Sequence, residues 1–171
     1  MNTVTTVTPI HFAEPLYVRD GSGFREARTP EIIARADALI LERYRTGEPV
    51  LDKPSRTAAY LRIHVGSRDY QVFGILHLDA DNRLIEAEDL FRGTLDFASI
   101  HPREVMKSVL SHQSTSVIFY QNYPTSASDP KESDIRGAQR LTVALGLMDV
   151  RVRDHLIVGK KIFSLASKGL V

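Results

Sequence analysis

Cysteine is absent from the 171 residues, which excludes disulfides, thiolate chemistry and any zinc site built on sulfur. A dominant charge is missing too: 22 Lys and Arg stand against 21 Asp and Glu, for a formal net charge of +1. Such a balance leaves no electrostatic footprint that calls for nucleic acid or an anionic membrane. No apolar run reaches the roughly 18 residues of a membrane span. The opening MNTVTTVTPIHFAEP lacks a basic segment followed by an apolar core, so it does not read as a signal peptide. The expectation is a soluble, cytoplasmic protein. The 43% of hydrophobic residues that are present suffice for one ordinary domain with its own core, preceded by an extension.

Residues 1–28 show no sustained period, and partial disorder is expected before Leu16; Asp20-Gly21-Ser22-Gly23 is a turn signal. Thr29-Pro30-Glu31 reads as a helix start, with Thr as N-cap and proline in the first turn. Ile32, Ile33, Ala36, Leu39, Ile40 and Tyr44 follow at helical spacing until Gly47. A shorter helix starts at Ser55, carries Ala58, Ala59 and Leu61–Ile63, and ends at Gly66, with Gly47–Pro54 as the link. The expected division is an N-terminal helical region over 1–66 and a main domain over 67–171.

From Tyr70 the pattern changes. YQVFGILHL is a near-continuous apolar run of strand length, as a strand buried on both faces requires. Asp79–Asn82 is turn chemistry, and Arg83–Ala87 returns as a strand. The chain to Ser99 is expected as loop or short strand, broken at Arg92-Gly93-Thr94. Pro102 opens a helix whose predicted apolar face is Val105, Met106, Val109 and Leu110. A strand over Ser116–Tyr123 precedes a helix from about Pro130, with Ile135, Ala138, Leu141 and Leu145 inward. Val150–Val158 and Ile162–Leu165 close the chain as a hairpin. The class is α+β: a mixed β-sheet flanked by helices, preceded by a small helical region.

The stretch Ser116–Ile135, SVIFYQNYPTSASDPKESDI, organises the rest. Alternate residues of a strand share a face, so Gln121 and Tyr123 lie side by side where the strand ends. Asp134 enters the same neighbourhood from the next helix. Two side chains on a strand end and a third from a helix start are the geometry of a catalytic metal site, here carrying poor metal donors. Ser126 and Ser128 read as turn residues.

GILHLDADNRLIEAEDLFRGTLDFASIHPREVMKSVL, followed by Asn122 and Pro124 and then by Asp154-His155, resembles the RadC-like branch of the JAB/MPN (JAMM) metallopeptidase family. The preamble PLYVRDGSGFREARTPEII is similar to the N-terminal region of mobile-element members of that branch. The resemblance implies the family's cytidine-deaminase-like fold. It also implies a zinc site made by a His-x-His pair, an Asp and a nearby Ser, with a Glu as general base. Carried over by position, the two His fall on Gln121 and Tyr123, the Ser on Lys131 and the Glu on Gln71. Only the Asp, at Asp134, matches, with Asn122 and Pro124 retained around it.

A neutral carboxamide is a poor zinc donor, and a phenol must lose a proton that ordinarily leaves near pH ~10. Gln71 cannot accept a proton as a glutamate does, and Lys131 adds a cation where a divalent ion would sit. The six histidines, His11, His64, His77, His101, His112 and His155, form no close pair in sequence. His77 reads as an ordinary sheet histidine and Asp154-His155 as a structural pair. Asp134 reads equally as a helix-start carboxylate favoured by the dipole. The expectation is a catalytically inactive, metal-free JAB/MPN domain serving as a protein-interaction or regulatory module, with no cofactor. The alternatives are a zinc-dependent peptidase or isopeptidase with substituted ligands and, with less support, a DNA-associated protein using Arg151, Arg153, Lys160 and Lys161. Membrane action finds no support, and the oligomeric state is not legible.

Overall fold

A computed structural model describes residues 15–45, 54–93, 100–124 and 129–171, without the side chains of 43–45. The readings that concern His11, the side chain of Tyr44, Gly47, the link before Pro54, the 94–99 segment, Ser126 and Ser128 lie outside the described residues, as does the expected irregular start.

The chain divides into two compact units, Met1–Arg35 and Ala36–Val171. In the first, the turn at Asp20–Gly23 joins two short antiparallel strands, β1 (Tyr17–Asp20) and β2 (Gly23–Glu26). Gly21 adopts a φ of +59°, which the tight turn requires. The turn was readable; the strands were not, because four-residue strands with mostly exposed side chains leave no apolar alternation. Arg25 forks onto both carboxylate oxygens of Glu31, at 2.6 and 2.9 Å, and the bond holds Glu31 down to a pKa of about 2.

The remaining elements are α1 (Thr29–Arg45), α2 (Pro54–His64), β3 (Val72–Leu78), β4 (Leu84–Arg92), α3 (Pro102–Ser111), β5 (Ser116–Asn122), α4 (Glu132–Gly146), β6 (Arg151–Val158) and β7 (Ile162–Ser164). Five strands form one mixed sheet in the order β4-β3-β5-β6-β7. β5 and β6 run parallel through the α4 crossover, and the other pairings are antiparallel. β3 and β5 are buried along their whole length, so their sequences run apolar without alternation.

Apolar residues cover both faces of the sheet. Val72, Leu76, Ile118, Tyr120 and Leu156 pack with Tyr60, Leu61 and Val65 from α2 and the residue after it. On the other face Phe73, Ile75, Val117 and Phe119 meet Val105, Val109, Leu141 and Leu145 of α3 and α4. Gly74 marks a close approach: a Cβ there would stand 2.1 Å from Cζ of Tyr120, whose ring lies across the strand.

Two expectations, on β4 and on the face of α3, need correction, and the buried faces of α1 and α2 become visible. β4 continues to Arg92, five residues beyond Ala87. Its acidic half reads as loop because this is an edge strand whose charged side chains find partners elsewhere. The strand ends at Gly93, whose φ is +112°. On α3, Leu110 faces solvent and Ser108 turns inward. The buried set Val105, Ser108, Val109 has i, i+3, i+4 spacing, which leaves Leu110 off the core face. On α1, Ile32 and Leu39 are exposed, while Ile40 and Leu41 pack on the core. On α2, Ala59 is exposed and Tyr60 takes the buried place. Among the described residues, no helix is long and apolar enough to cross a membrane.

Candidate functional site

β5 carries its side chains alternately to the two faces of the sheet. Val117, Phe119, Gln121 and Tyr123 therefore share the α3/α4 face, and Ile118, Tyr120 and Asn122 the opposite one. The apolar run ends in the buried polar pair Gln121 and Asn122, followed by buried Tyr123. Tyr123 is tied to the sheet by its backbone N–H, which donates to the Val158 carbonyl at 2.8 Å. α4 starts after Lys131, and its third residue, Asp134, points back to the strand end.

These elements bring Tyr123, Lys131 and Asp134 together. The Tyr123 hydroxyl donates a short hydrogen bond to Oδ2 of Asp134. The same oxygen accepts the backbone N–H of Lys131 at 2.8 Å, while the Asp134 N–H donates to the Lys131 carbonyl at 3.0 Å. The carboxylate thus caps α4 and holds the phenol. Burial, the bond to Asp134 and its charge all raise the Tyr123 pKa, so the phenol stays protonated. The Lys131 ammonium lies 5.3 Å from the centre of the Tyr123 ring, a cation–π placement.

Gln121 and Gln71 complete the set expected from sequence. Gln121 is buried, and its carboxamide oxygen has no hydrogen-bond donor among the described residues. It sits opposite Phe73 in the β3–β5 register. Gln71, half-buried, immediately precedes β3, and its carbonyl accepts the N–H of Gly93.

The zinc that the resemblance implies does not fit this donor set. A catalytic zinc takes three imidazole or carboxylate ligands and keeps one open position. Here the oxygen of Asp134 that faces the strand already takes two hydrogen bonds, the phenol keeps its proton, and the remaining donor is a neutral amide.

Asn122 faces the other side and has a mechanical task. Its carboxamide oxygen accepts the N–H of Val72 at 2.6 Å, and its amide donates to the carbonyls of Tyr70 at 3.0 Å and Val65 at 3.4 Å. It pins the start of β3 and the end of α2 to the end of β5. Asp154 and His155 diverge in the same way. Asp154 accepts the backbone N–H groups of His155 and Ala166 at 2.7 and 2.9 Å and the Ser164 hydroxyl at 2.6 Å, which fixes the β6–β7 corner. The His155 ring stands edge-on to Phe73 and Phe119 on the opposite face, and burial lowers its pKa to about 3. The pair is adjacent in sequence, but Asp154 orders the backbone and leaves the ring to the core.

Two groupings have no sequence signal. On the α2 face, His64 bonds Asp37 at 2.8 Å and Tyr120 at 3.2 Å, while Tyr120 donates to Asp89 at 2.8 Å and Arg68 pairs with Asp89. Burial opposes the charge on His64, yet its bonds to Asp37 and Asp89 raise its pKa. On the α3 face, His77 and His112 stack with ring centres 4.1 Å apart. Their 35-residue separation closes only once β3, α3 and β5 are folded. Of the basic residues at the last strands, Arg153 is committed to Asn82 at 2.5 Å.

Comparison with known proteins gives one consistent result. Residues 51–170 match the RadC-like JAB domain family. A UPF0758 protein of Variovorax paradoxus is 43% identical over 163 residues, covering 93% of this chain and 72% of its own length. One from Vibrio cholerae is 43% identical over 139 residues, 81% of this chain and 88% of its own. Another, from Cellvibrio japonicus, reaches 46% over 121 residues, 70% of this chain and 54% of its own.

Proposed function

The chain belongs to the RadC-like JAB domain family, and from that membership we propose that it is a catalytically inactive member, a protein-interaction or regulatory module of a bacterial mobile element working in the cytoplasm. The observation that carries this reading is the bond from the Tyr123 hydroxyl to Asp134. The carboxylate that would ligate a metal is engaged by a protonated phenol and a helix-capping N–H. Without a metal no water is activated, and Gln71, where the general base would stand, accepts no proton at neutral pH.

What remains is a rigid sheet with surface to offer. Leu110 of α3, Val143 of α4 and Leu147 just after it are 61%, 69% and 83% exposed. The same two helices also line an open groove of about 250 Å³, through Pro102 of α3 and Ser133, Gly137 and Arg140 of α4. Exposed apolar side chains and a groove on the same pair of helices suit a protein partner. The mobile-element assignment rests on the N-terminal preamble alone.

The test compares the natural chain, supplied with zinc, against a reversion carrying Gln71→Glu, Gln121→His, Tyr123→His and Lys131→Ser, on peptide and isopeptide substrates. The natural chain is expected to leave both substrates intact, while the reversion gains a zinc that depends on Asp134. Hydrolysis by the natural chain that vanishes in Asp134→Ala would overturn the proposal in favour of a peptidase with substituted ligands.

A further inference from the structure

We propose that His77, Glu88 and His112 form a binding site for a divalent transition-metal ion of the zinc class, at the opposite end of β3 and β5 from the Tyr123–Asp134 contact. It is the one such grouping of potential ligands among the described residues. The site is independent of the pocket discussed above, and neither reading requires the other.

Three elements deliver the donors. His77 lies near the end of β3, Glu88 is in the middle of β4, and His112 is the residue that closes α3. Nε2 of His77 stands 3.3 Å from Oε2 of Glu88, and Nδ1 of His112 stands 3.9 Å from the same oxygen. One ligand atom from each residue falls within 4.8 Å of the others. Ligands bound tetrahedrally to zinc at about 2.0–2.1 Å sit roughly 3.4 Å apart, so closing the site takes a contraction of the donors and a turn of the half-exposed His112 ring out of its 4.1 Å stack on His77.

The surroundings suit ligation. Nδ1 of His77 is 2.8 Å from the Ser114 hydroxyl. With that nitrogen as the N–H donor, the lone pair of Nε2 faces Glu88, the outer bond that orients a metal-binding imidazole. The His77 side chain is fully buried, a setting that disfavours the charged ring and so suits a neutral imidazole ligand. The Ser108 hydroxyl is 3.1 Å from Nε2 of His77 and donates to Glu88. It is a single rotor that can swing aside for an ion. His112 gives up its 2.9 Å bond to the Ser108 carbonyl and carries its one proton on Nε2, which leaves the Nδ1 lone pair for the metal.

Access and selectivity follow from exposure and donor type. The side chains of Glu88 and His112 are 35% and 27% exposed while that of His77 is fully buried, so an ion enters from solvent onto an anchored base. Two imidazoles and one carboxylate favour zinc, nickel or copper over magnesium and calcium, which require more oxygen ligands. Three protein ligands leave a fourth position for water.

The experiment titrates chelator-stripped full-length protein with cobalt(II), follows the visible absorption of a low-coordinate site, and displaces cobalt with zinc. His112→Ala, Glu88→Gln and Asp134→Asn are compared, with circular dichroism of each metal-free variant reporting its fold. About one cobalt per chain is expected. Affinity should fall at least tenfold in His112→Ala and in Glu88→Gln, and stay unchanged in Asp134→Asn. No saturable binding, or binding indifferent to His112→Ala and Glu88→Gln, overturns this site and leaves the inactive reading untouched. An ion lost only in Asp134→Asn occupies the family pocket and overturns both.

Discussion

On the α3/α4 face, the two ends of the central strands each hold a carboxylate, in opposite condition. At the Gln121–Tyr123 end, Asp134 accepts a backbone N–H that cannot move away and a phenol that keeps its proton. At the His77 end, Glu88 is held by a serine hydroxyl that rotates about one bond, and both imidazoles stand beside it. Both ends carry a carboxylate, accompanied at one by an amide and a phenol and at the other by two imidazoles. Beyond donor type, what separates them is whether a donor's lone pairs are already spent on fixed partners, and that depends on topology.

The largest expected effect that tests this contrast is acid destabilisation. His155 and His77 are buried with pKa values of about 3 and 4, against 6.5 when unfolded. The unfolded chain therefore binds more protons as pH falls below 6.5, and stability drops through that window toward pH 3. At about 1.4 kcal/mol per unit, the two rings together account for a loss on the order of 8 kcal/mol at full protonation. His64 has the opposite sign: its pKa is raised, so its contribution is complete below 6.5 and fades as pH climbs through the raised value. Urea melts at several pH values measure the slope, and replacing His77 with Gln should flatten it; an unchanged slope would mean His77 is not held neutral.

Next in size is Asp134→Ala. It leaves the Tyr123 hydroxyl and the Lys131 N–H without their acceptor, at a cost of about 3 kcal/mol. A loss under about 1 kcal/mol would show that the carboxylate is not spent there, and the comparison between the two ends would collapse.

Smallest are two changes on the strand itself. Tyr123→Phe keeps the ring under Lys131 and removes one bond, for a cost of about 1 kcal/mol. Gln121→Met removes a carboxamide whose buried oxygen has no hydrogen-bond donor among the described residues and should be neutral or stabilising by up to about 1 kcal/mol. Thermal or chemical melts would rank the two.

Much of the architecture was legible because the inner strands and α4 carry their burial in plain apolar patterns. β3 and β5 read as continuous runs, and Ala138, Leu141 and Leu145 keep helical spacing on a buried face. The second half of β4 was hidden, since Glu88 and Asp89 resemble loop chemistry until Ser108 and Arg68 are in place to pair with them. Local spacing put Tyr123 beside Asp134, which need only a strand end and the next helix start. No local pattern could pair His77 with His112 across α3, or aim the Asp154 carboxylate at a backbone corner while the His155 ring enters the core.

Asn122 bears on how such chains age. Its carboxamide stitches the entry of one central strand to the exit of the other and to the helix behind them. Replacing it would loosen three pieces of scaffold at once, whatever chemistry goes on nearby. A domain can therefore give up its reaction and still keep this letter of the old signature, so the letter's survival attests to good carpentry and says nothing of an employed active centre.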